Sequence, residues 1–190
     1  MKLGLVLLGA GNSRRFGSNK LLYPVDGQPM GCRALELFAK SRAIRRIYVS
    51  QEGYHPLWKR ARELGYETVM NPAPERGMAS SLVLGLEALL NGEQEAPEGI
   101  LFGVSDQPNL SEASLATLEN TFFENPQRIC CLSAQGRRGN PAIFPRALYS
   151  ELSKLEGDVG GRQVIRQHPE LLLPVEALSP RELDDMDERK

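Results

Sequence analysis

Short apolar runs alternate along this chain with stretches of helical period, and that alternation restricts the fold more than any other feature. Leu3–Leu8, Arg46–Ser50, Glu67–Met70, Gly99–Val104 and Arg128–Ser133 read as strands. Gly31–Ser41, Pro56–Leu64, Met78–Leu90 and a helix from Ser111 to about Phe123 fall between them. Ala34, Leu35, Leu37 and Phe38 share one helical face, as do Leu82, Leu86 and Leu89. Strand and helix in turn predict an α/β, Rossmann-like three-layer sandwich: a mostly parallel sheet covered on both faces. Ala142–Phe144 and Leu171–Pro174 add strands, Pro145–Lys154 and Gly160–Gln167 add helices, and Gln135–Gly139 reads as a tight basic turn. No internal repeat or low-complexity linker divides the chain, so residues 1–190 are expected to form a single domain.

The first strand runs straight into Leu8–Lys20, LGAGNSRRFGSNK. Glycines at 9 and 11 let a backbone bend and approach a ligand closely. Successive backbone N–H groups in such a loop form an anion-binding concavity. Arg14, Arg15 and Lys20 add fixed positive charge, and that combination suits a polyphosphate. The spacing is not a P-loop, because Leu21 follows Lys20 where a Mg²⁺-binding hydroxyl would be needed. It is not a dinucleotide fingerprint either, because Arg14 stands where a third small residue is required. The glycines alone favour an ordinary strand–helix turn; the three cations reverse that in favour of the phosphate cradle.

The bulk composition narrows the partners. A net charge of −1 argues against broad nucleic-acid or membrane-surface binding, so a local basic site points to a small anion. The opening apolar stretch is too short to cross a membrane and is followed by arginines rather than a cleavage region. Three cysteines without C-x-x-C spacing suit a reducing compartment, and a cytoplasmic protein is expected. His55 and His168 lack ligand spacing.

In open α/β sheets, ligands bind beyond the carboxyl ends of the strands. The loop leaves the first strand at that edge, and Asp106, in Ser105–Asp106–Gln107–Pro108, leaves another there. Alone, Asp106 reads as a turn residue. Beside a phosphate cradle it reads as a ligand for a divalent ion bridging to phosphates. Gly77–Ser81 opens the Met78–Leu90 helix, where free N–H groups and two hydroxyls could hold an anion or a base, or merely cap the helix. Glu182–Asp187 is a second acidic cluster, readable as a solvated terminus.

Leu8–Lys20, continued by Leu21–Met30, resembles the signature of the MobA-like nucleotidyltransferases, with Gly9 in place of an Ala and Phe16 in place of a Met. Gly77–Leu86, Ser105–Ser111 and Gly139–Ile165 extend the resemblance in order across nearly the whole chain. In these motifs the chain is most similar to the molybdenum cofactor cytidylyltransferases. The resemblance implies a fold of the nucleotide-diphosphosugar transferase type. It implies Mg²⁺-dependent transfer of a nucleoside monophosphate, from CTP, to the phosphate of a molybdopterin-type acceptor, with a molybdoenzyme receiving the product. Leu8, Gly9, Ala10, Gly11, Arg15, Lys20, Gly77 and Ser81 would bind nucleotide, Ser81 at the pyrimidine. Arg15, Lys20 and Asp106 would be catalytic. Asp106 with Asp187, or Asp185 in its place, would hold the metal. Asn140, Asp158 and Arg162 would bind acceptor, although Asn140 stands where members often carry His. The tail departs from the family after Asp187, which puts its order in question. Guanylyl transfer, transfer to a sugar phosphate and a non-catalytic carrier remain as alternatives.

Overall fold

A computed structural model of the chain describes residues 1–10, 19–51, 55–91 and 95–186. In chain order its elements are β1 (Leu3–Gly9), β2 (Pro24–Val25), β3 (Gln28–Pro29), α1 (Met30–Ala39), β4 (Arg45–Ser50), α2 (His55–Glu63), β5 (Glu67–Met70), α3 (Met78–Leu90), β6 (Gly99–Val104), α4 (Glu112–Glu124), β7 (Ile129–Ala134), β8 (Arg137–Pro145), α5 (Tyr149–Leu152), α6 (Arg162–Gln167) and β9 (Leu172–Glu176).

Seven strands form one sheet in the order β5–β4–β1–β6–β8–β7–β9. β1 pairs in parallel with β4 and β6, β4 with β5, and β7 with β9. Only β8 runs the other way in this sheet, antiparallel to both neighbours. β1 lies between two strands and under both helical layers, and all of its residues are buried. That position explains its unbroken apolar run.

Alternate side chains feed two cores. Leu5, Leu7, Leu101, Cys130, Leu132 and Ile143 pack toward α1, α2 and α4. Val6, Leu8, Ile100, Phe102, Cys131, Ala142 and Phe144 pack toward α3, α5 and α6. The register sets Gly9 opposite Ser50, Leu8 opposite Val104 and Ser50 opposite Met70, so the carboxyl ends of β1, β4, β5 and β6 share one rim. Among the described residues no helix is long and apolar enough to cross a membrane.

Three local readings are corrected. The basic segment expected as a turn through Gly139 is strand: Arg137 and Arg138 pair with Ala134 and Ser133. The turn is only Gln135–Gly136, both at positive φ (52° and 78°), as a two-residue hairpin of the right-handed twist requires. The helix expected over Pro145–Lys154 breaks into a 3-10 turn, Arg146–Leu148, and the four residues of α5. Buried Leu148, Tyr149 and Leu152 hold it by tertiary packing rather than helical propensity. The β2–β3 hairpin, turned by Asp26–Gly27 at positive φ, was signalled by its Asp-Gly pair but is absent from the strand reading above.

Candidate functional site

Asp106 follows the end of β6, and Lys20 opens a 3-10 turn, Lys20–Leu22, whose cap is the Asn19 side chain accepting from Leu21 N at 3.2 Å. The Lys20 ammonium donates to Asp106 Oδ2 at 2.7 Å. The two side chains keep 14% and 25% of their surface, so the pair is mostly enclosed but reachable from solvent. The cation and carboxylate expected on one rim are therefore in contact across 86 residues of chain. Gly11, Arg14, Arg15 and Asp187 lie outside the described residues.

Gly9 has a packing reason to be glycine. It ends β1, and a Cβ there would overlap the Tyr48 ring. Leu8 and Ala10 are buried on either side of it.

The Asp106 loop is held from both ends of the chain. Ser105 N donates to Leu8 O at 3.0 Å, and Met186 N donates to Asp106 O at 3.0 Å. The tail reaches that point along a defined path. Ser179 caps a 3-10 turn, Pro180–Leu183; Leu183 packs against Gly139, and Asp184 pairs with Arg137 at 2.6 Å. The acidic terminus is thus bound to the site as far as Met186, with Asp185 exposed beside it. Two polar groups flanking Asp106, Ser105 Oγ and Gln107 Oε1, are buried without a hydrogen-bond partner among the described residues. Buried polar groups in folded proteins are nearly always paired.

The start of α3 differs from expectation. Its first amides are not free: Gly77 N donates to Pro74 O, Ala79 N to Gly157 O and Ser80 N to Gly77 O, each at 3.2 Å. Met78 N donates to Asp158 Oδ1 at 3.4 Å. The loop carrying Gly157 and Asp158 lies directly on this helix end, and Gly77 (φ 96°) leaves no room for a Cβ against it. An anion seat on these amides is therefore closed by the chain itself, and Asp158 serves α3 as a cap.

Ser81 is buried, and its oxygen accepts from Asn71 Nδ2 at 2.8 Å. Asn71 Oδ1 accepts from Ala73 N at 2.9 Å, which fixes the orientation of the amide. Ser80, the other acceptor of that amide, donates its own proton to Gly77 O. Ser81 is left as a hydroxyl whose proton has no acceptor among the described residues. Asn71 was not singled out by the sequence; its signal was only a polar residue closing β5. Behind this helix end lies a cavity of about 520 Å³ lined by Asn71, Arg76, Ser80, Leu84, Lys154 and Gly157. Asn140 is half-buried on β8, and Arg162 is exposed at the start of α6.

The sequence of residues 5–171 matches the model of the MobA-like NTP transferase domain. The chain belongs to that family. It is 33% identical over 196 residues to the probable molybdenum cofactor guanylyltransferase of Pyrococcus furiosus, covering 95% of this chain and 88% of that protein. It is 31% identical over 137 residues to a protein of the same name from Pyrococcus horikoshii, covering 70% of this chain and 62%, less than two thirds, of that relative. In fold it is similar to Rv0371c of Mycobacterium tuberculosis (TM-score 0.82, 24% identity, 99% and 93% of the two chains). A manganese complex of Rv0371c superposes with a TM-score of 0.75 at 20% identity, over 98% and 95% of the two chains. The α/β sandwich expected from the strand–helix alternation is thus the nucleotidyltransferase fold.

Proposed function

We propose that this member of the family is a cytoplasmic, Mg²⁺-dependent nucleotidyltransferase that moves a nucleoside monophosphate from CTP to the phosphate of a molybdopterin-type acceptor. The observation that carries the reading is the Lys20–Asp106 pair at the carboxyl rim of a parallel sheet. An acceptor phosphate oxygen attacks the α-phosphorus, the bond from that phosphorus to the bridging oxygen breaks, and pyrophosphate leaves. No covalent protein nucleophile is needed, so the chain's work is positioning and charge neutralisation. Lys20 pairs with Asp106, and its ammonium would also neutralise phosphate charge in this reading.

The residues fit a magnesium ion. Asp106 is a hard oxygen donor at a strand end, and its backbone is held by the tail that brings Asp185 alongside. Among the described residues no group of three or more His, Cys, Asp or Glu could hold an ion. Mg²⁺ does not need one, because it draws on one or two carboxylates, waters and substrate phosphates. Bound there it would neutralise phosphate charge and polarise the α-phosphoryl group. The Rv0371c complex with manganese supports a divalent ion in this fold.

Ser81 supports a nucleobase contact, since a hydroxyl left to donate suits a carbonyl oxygen or ring nitrogen, and CTP is taken as the donor from the resemblance to the cytidylyltransferases. The archaeal relatives support a second reading, because both are named guanylyltransferases. Pyrophosphate release with Mg²⁺, a molybdopterin-type acceptor and each of the four triphosphates separates the two. CTP alone should be turned over. Preference for GTP would replace the donor and keep the reaction; binding without pyrophosphate release from any triphosphate would leave a carrier.

A further inference from the structure

α5 has four residues and α6 has six, and isolated helices of that length do not persist in water. Buried Leu152, Val164 and Ile165 anchor the two helices on the core they share with α3. The segment between them, residues 153–161, has a defined seat. Gly157 O accepts from Ala79 N at 3.2 Å, Asp158 Oδ1 accepts from Met78 N at 3.4 Å, and Gly161 lies against the Phe144 ring.

His168 closes this segment. Its backbone N–H donates to Val164 O at 3.1 Å and ends α6, and its carbonyl accepts from Leu171 N at 3.1 Å, opening the 3-10 turn Pro169–Leu171 that leads into β9. Arg128 braces that turn, donating to Leu171 O at 3.0 Å and to Leu172 O at 3.1 Å. The imidazole is thus carried on a fixed backbone. Its Nε2 lies 2.8 Å from Glu151 Oε2, on α5, and its Nδ1 lies 3.4 Å from Glu170 Oε1, on the 3-10 turn.

A ring set between two carboxylates has an acceptor for each of its nitrogens. Neutral imidazole carries one N–H, so one nitrogen would turn a lone pair toward an oxygen that can only accept; imidazolium donates to both. Glu151 from α5 and Glu170 from the turn are the charged groups that act on the ring. The Glu151 hydrogen bond first, and Glu170 with it, hold the pKa of His168 above the ordinary imidazole value, with desolvation opposing them.

We infer that His168 is a pH-dependent clasp: as imidazolium it fastens α5 to the α6–β9 connection and keeps residues 153–161 seated on α3, and loss of its proton loosens that seat. The clasp is independent of the reaction proposed above. A proton held more tightly in the folded chain stabilises the fold fully below the unfolded imidazole value of about 6.5, and that contribution is lost as pH rises through the folded value.

Heteronuclear NMR of the full chain, titrated across roughly pH 5.5 to 9 so as to bracket an imidazole, tests this. The His168 ring should titrate above its ordinary value, and the Ala79 and Met78 amide signals should move with the same midpoint. Glu151→Gln should bring the ring midpoint down. The urea midpoint of the wild type should fall over the same interval. His168→Gln should flatten that fall and abolish the shared titration of the two amides, whereas His168→Arg, which keeps a cation with several donors, should hold the seat to the alkaline end. A ring that titrates at or below the ordinary value would overturn the clasp. So would Ala79 and Met78 amides that ignore the ring's titration, or a fall in urea midpoint that persists undiminished in His168→Gln.

Discussion

Two loops leave the sheet at the same rim and use their polar groups in opposite ways. After β5, the chain consumes everything it exposes: the first amides of α3 are bound by Pro74, Gly157, Asp158 and Gly77, and Asn71 spends its whole amide. After β6, it leaves Ser105 Oγ and Gln107 Oε1 buried without partners among the described residues, around a carboxylate held by one lysine. A helix start that is satisfied from within is a structural joint. A loop whose buried groups are unsatisfied, and whose charge is matched by a movable side chain, is where a ligand gains most. The β6 loop is the proposed seat of the chemistry, and the β5–α3 joint holds one hydroxyl, Ser81, whose proton has no acceptor among the described residues.

The largest effect should follow from Asp106→Asn, which keeps shape and removes charge. Turnover should fall by at least about a hundredfold through loss of metal binding. Thermal stability should change little, since Asn keeps an accepting oxygen for the Lys20 ammonium. Metal-titrated pyrophosphate release checks this, and an unchanged metal dependence would move the chemistry away from β6. Lys20→Ala comes next. It should raise the barrier by roughly 1.5–3 kcal/mol, the range for a charge-assisted contact to phosphate. Calorimetry with nucleotide should show the weakening without a loss of fold.

Gly77→Ala tests the joint. The residue sits at φ 96° with Gly157 and Asp158 against it, so alanine brings both backbone strain and overlap. Destabilisation of about 1–3 kcal/mol is expected from the strain alone, read as a lower midpoint in urea. An unchanged midpoint would mean that the Gly157 loop is not seated on α3.

The sequence carries these two loops unequally. β1 and β6 were legible because strands covered on both faces must be apolar throughout, and Asp106 stood out where such a run stops. Ser111 was legible as a cap because its partner, Ser114 N, is three residues away. The cap that Asp158 gives to Met78 spans 80 residues and leaves no local pattern. Neither does the hydrogen bond from Met186 to Asp106, which ties an apparently solvated acidic tail to the β6 loop. The first half of β8 was hidden because its residues lie beyond the core and follow neither strand periodicity nor apolar composition. The packing of the Tyr48 ring on Gly9 joins residues 39 positions apart and leaves no local pattern either.

Removing residues 185–190 sharpens the view of the β6 loop. It deletes the Met186 N–H that donates to Asp106 O, together with Asp185 and Asp187, but keeps buried Leu183 and the Arg137–Asp184 pair. One net hydrogen bond is worth about 0.5–1.5 kcal/mol, and the partly buried Met186 side chain that goes with it packs against the core, so stability should drop by about 1–3 kcal/mol. Activity should fall on the order of tenfold through the weakened metal site. Full activity would reduce the tail to a brace and move any second metal ligand elsewhere.

The smallest effect discriminates most finely between the two loops. Asp158 was expected at the acceptor, yet its carboxylate accepts from Met78 N at 3.4 Å, a long bond, while the backbone contact from Ala79 N to Gly157 O beside it does not depend on the side chain. Asp158→Ala should therefore cost only the low end of a cap's worth, about 0.5–1 kcal/mol. Asp158→Asn retains an accepting oxygen and should recover most of it. Nucleotide affinity and acceptor KM should stay within about twofold of wild type, since 0.4 kcal/mol is already a factor of two. If Asp158→Ala left the melting point alone and raised the acceptor KM instead, the carboxylate would belong to the substrate, and the β5–α3 joint would have a ligand after all.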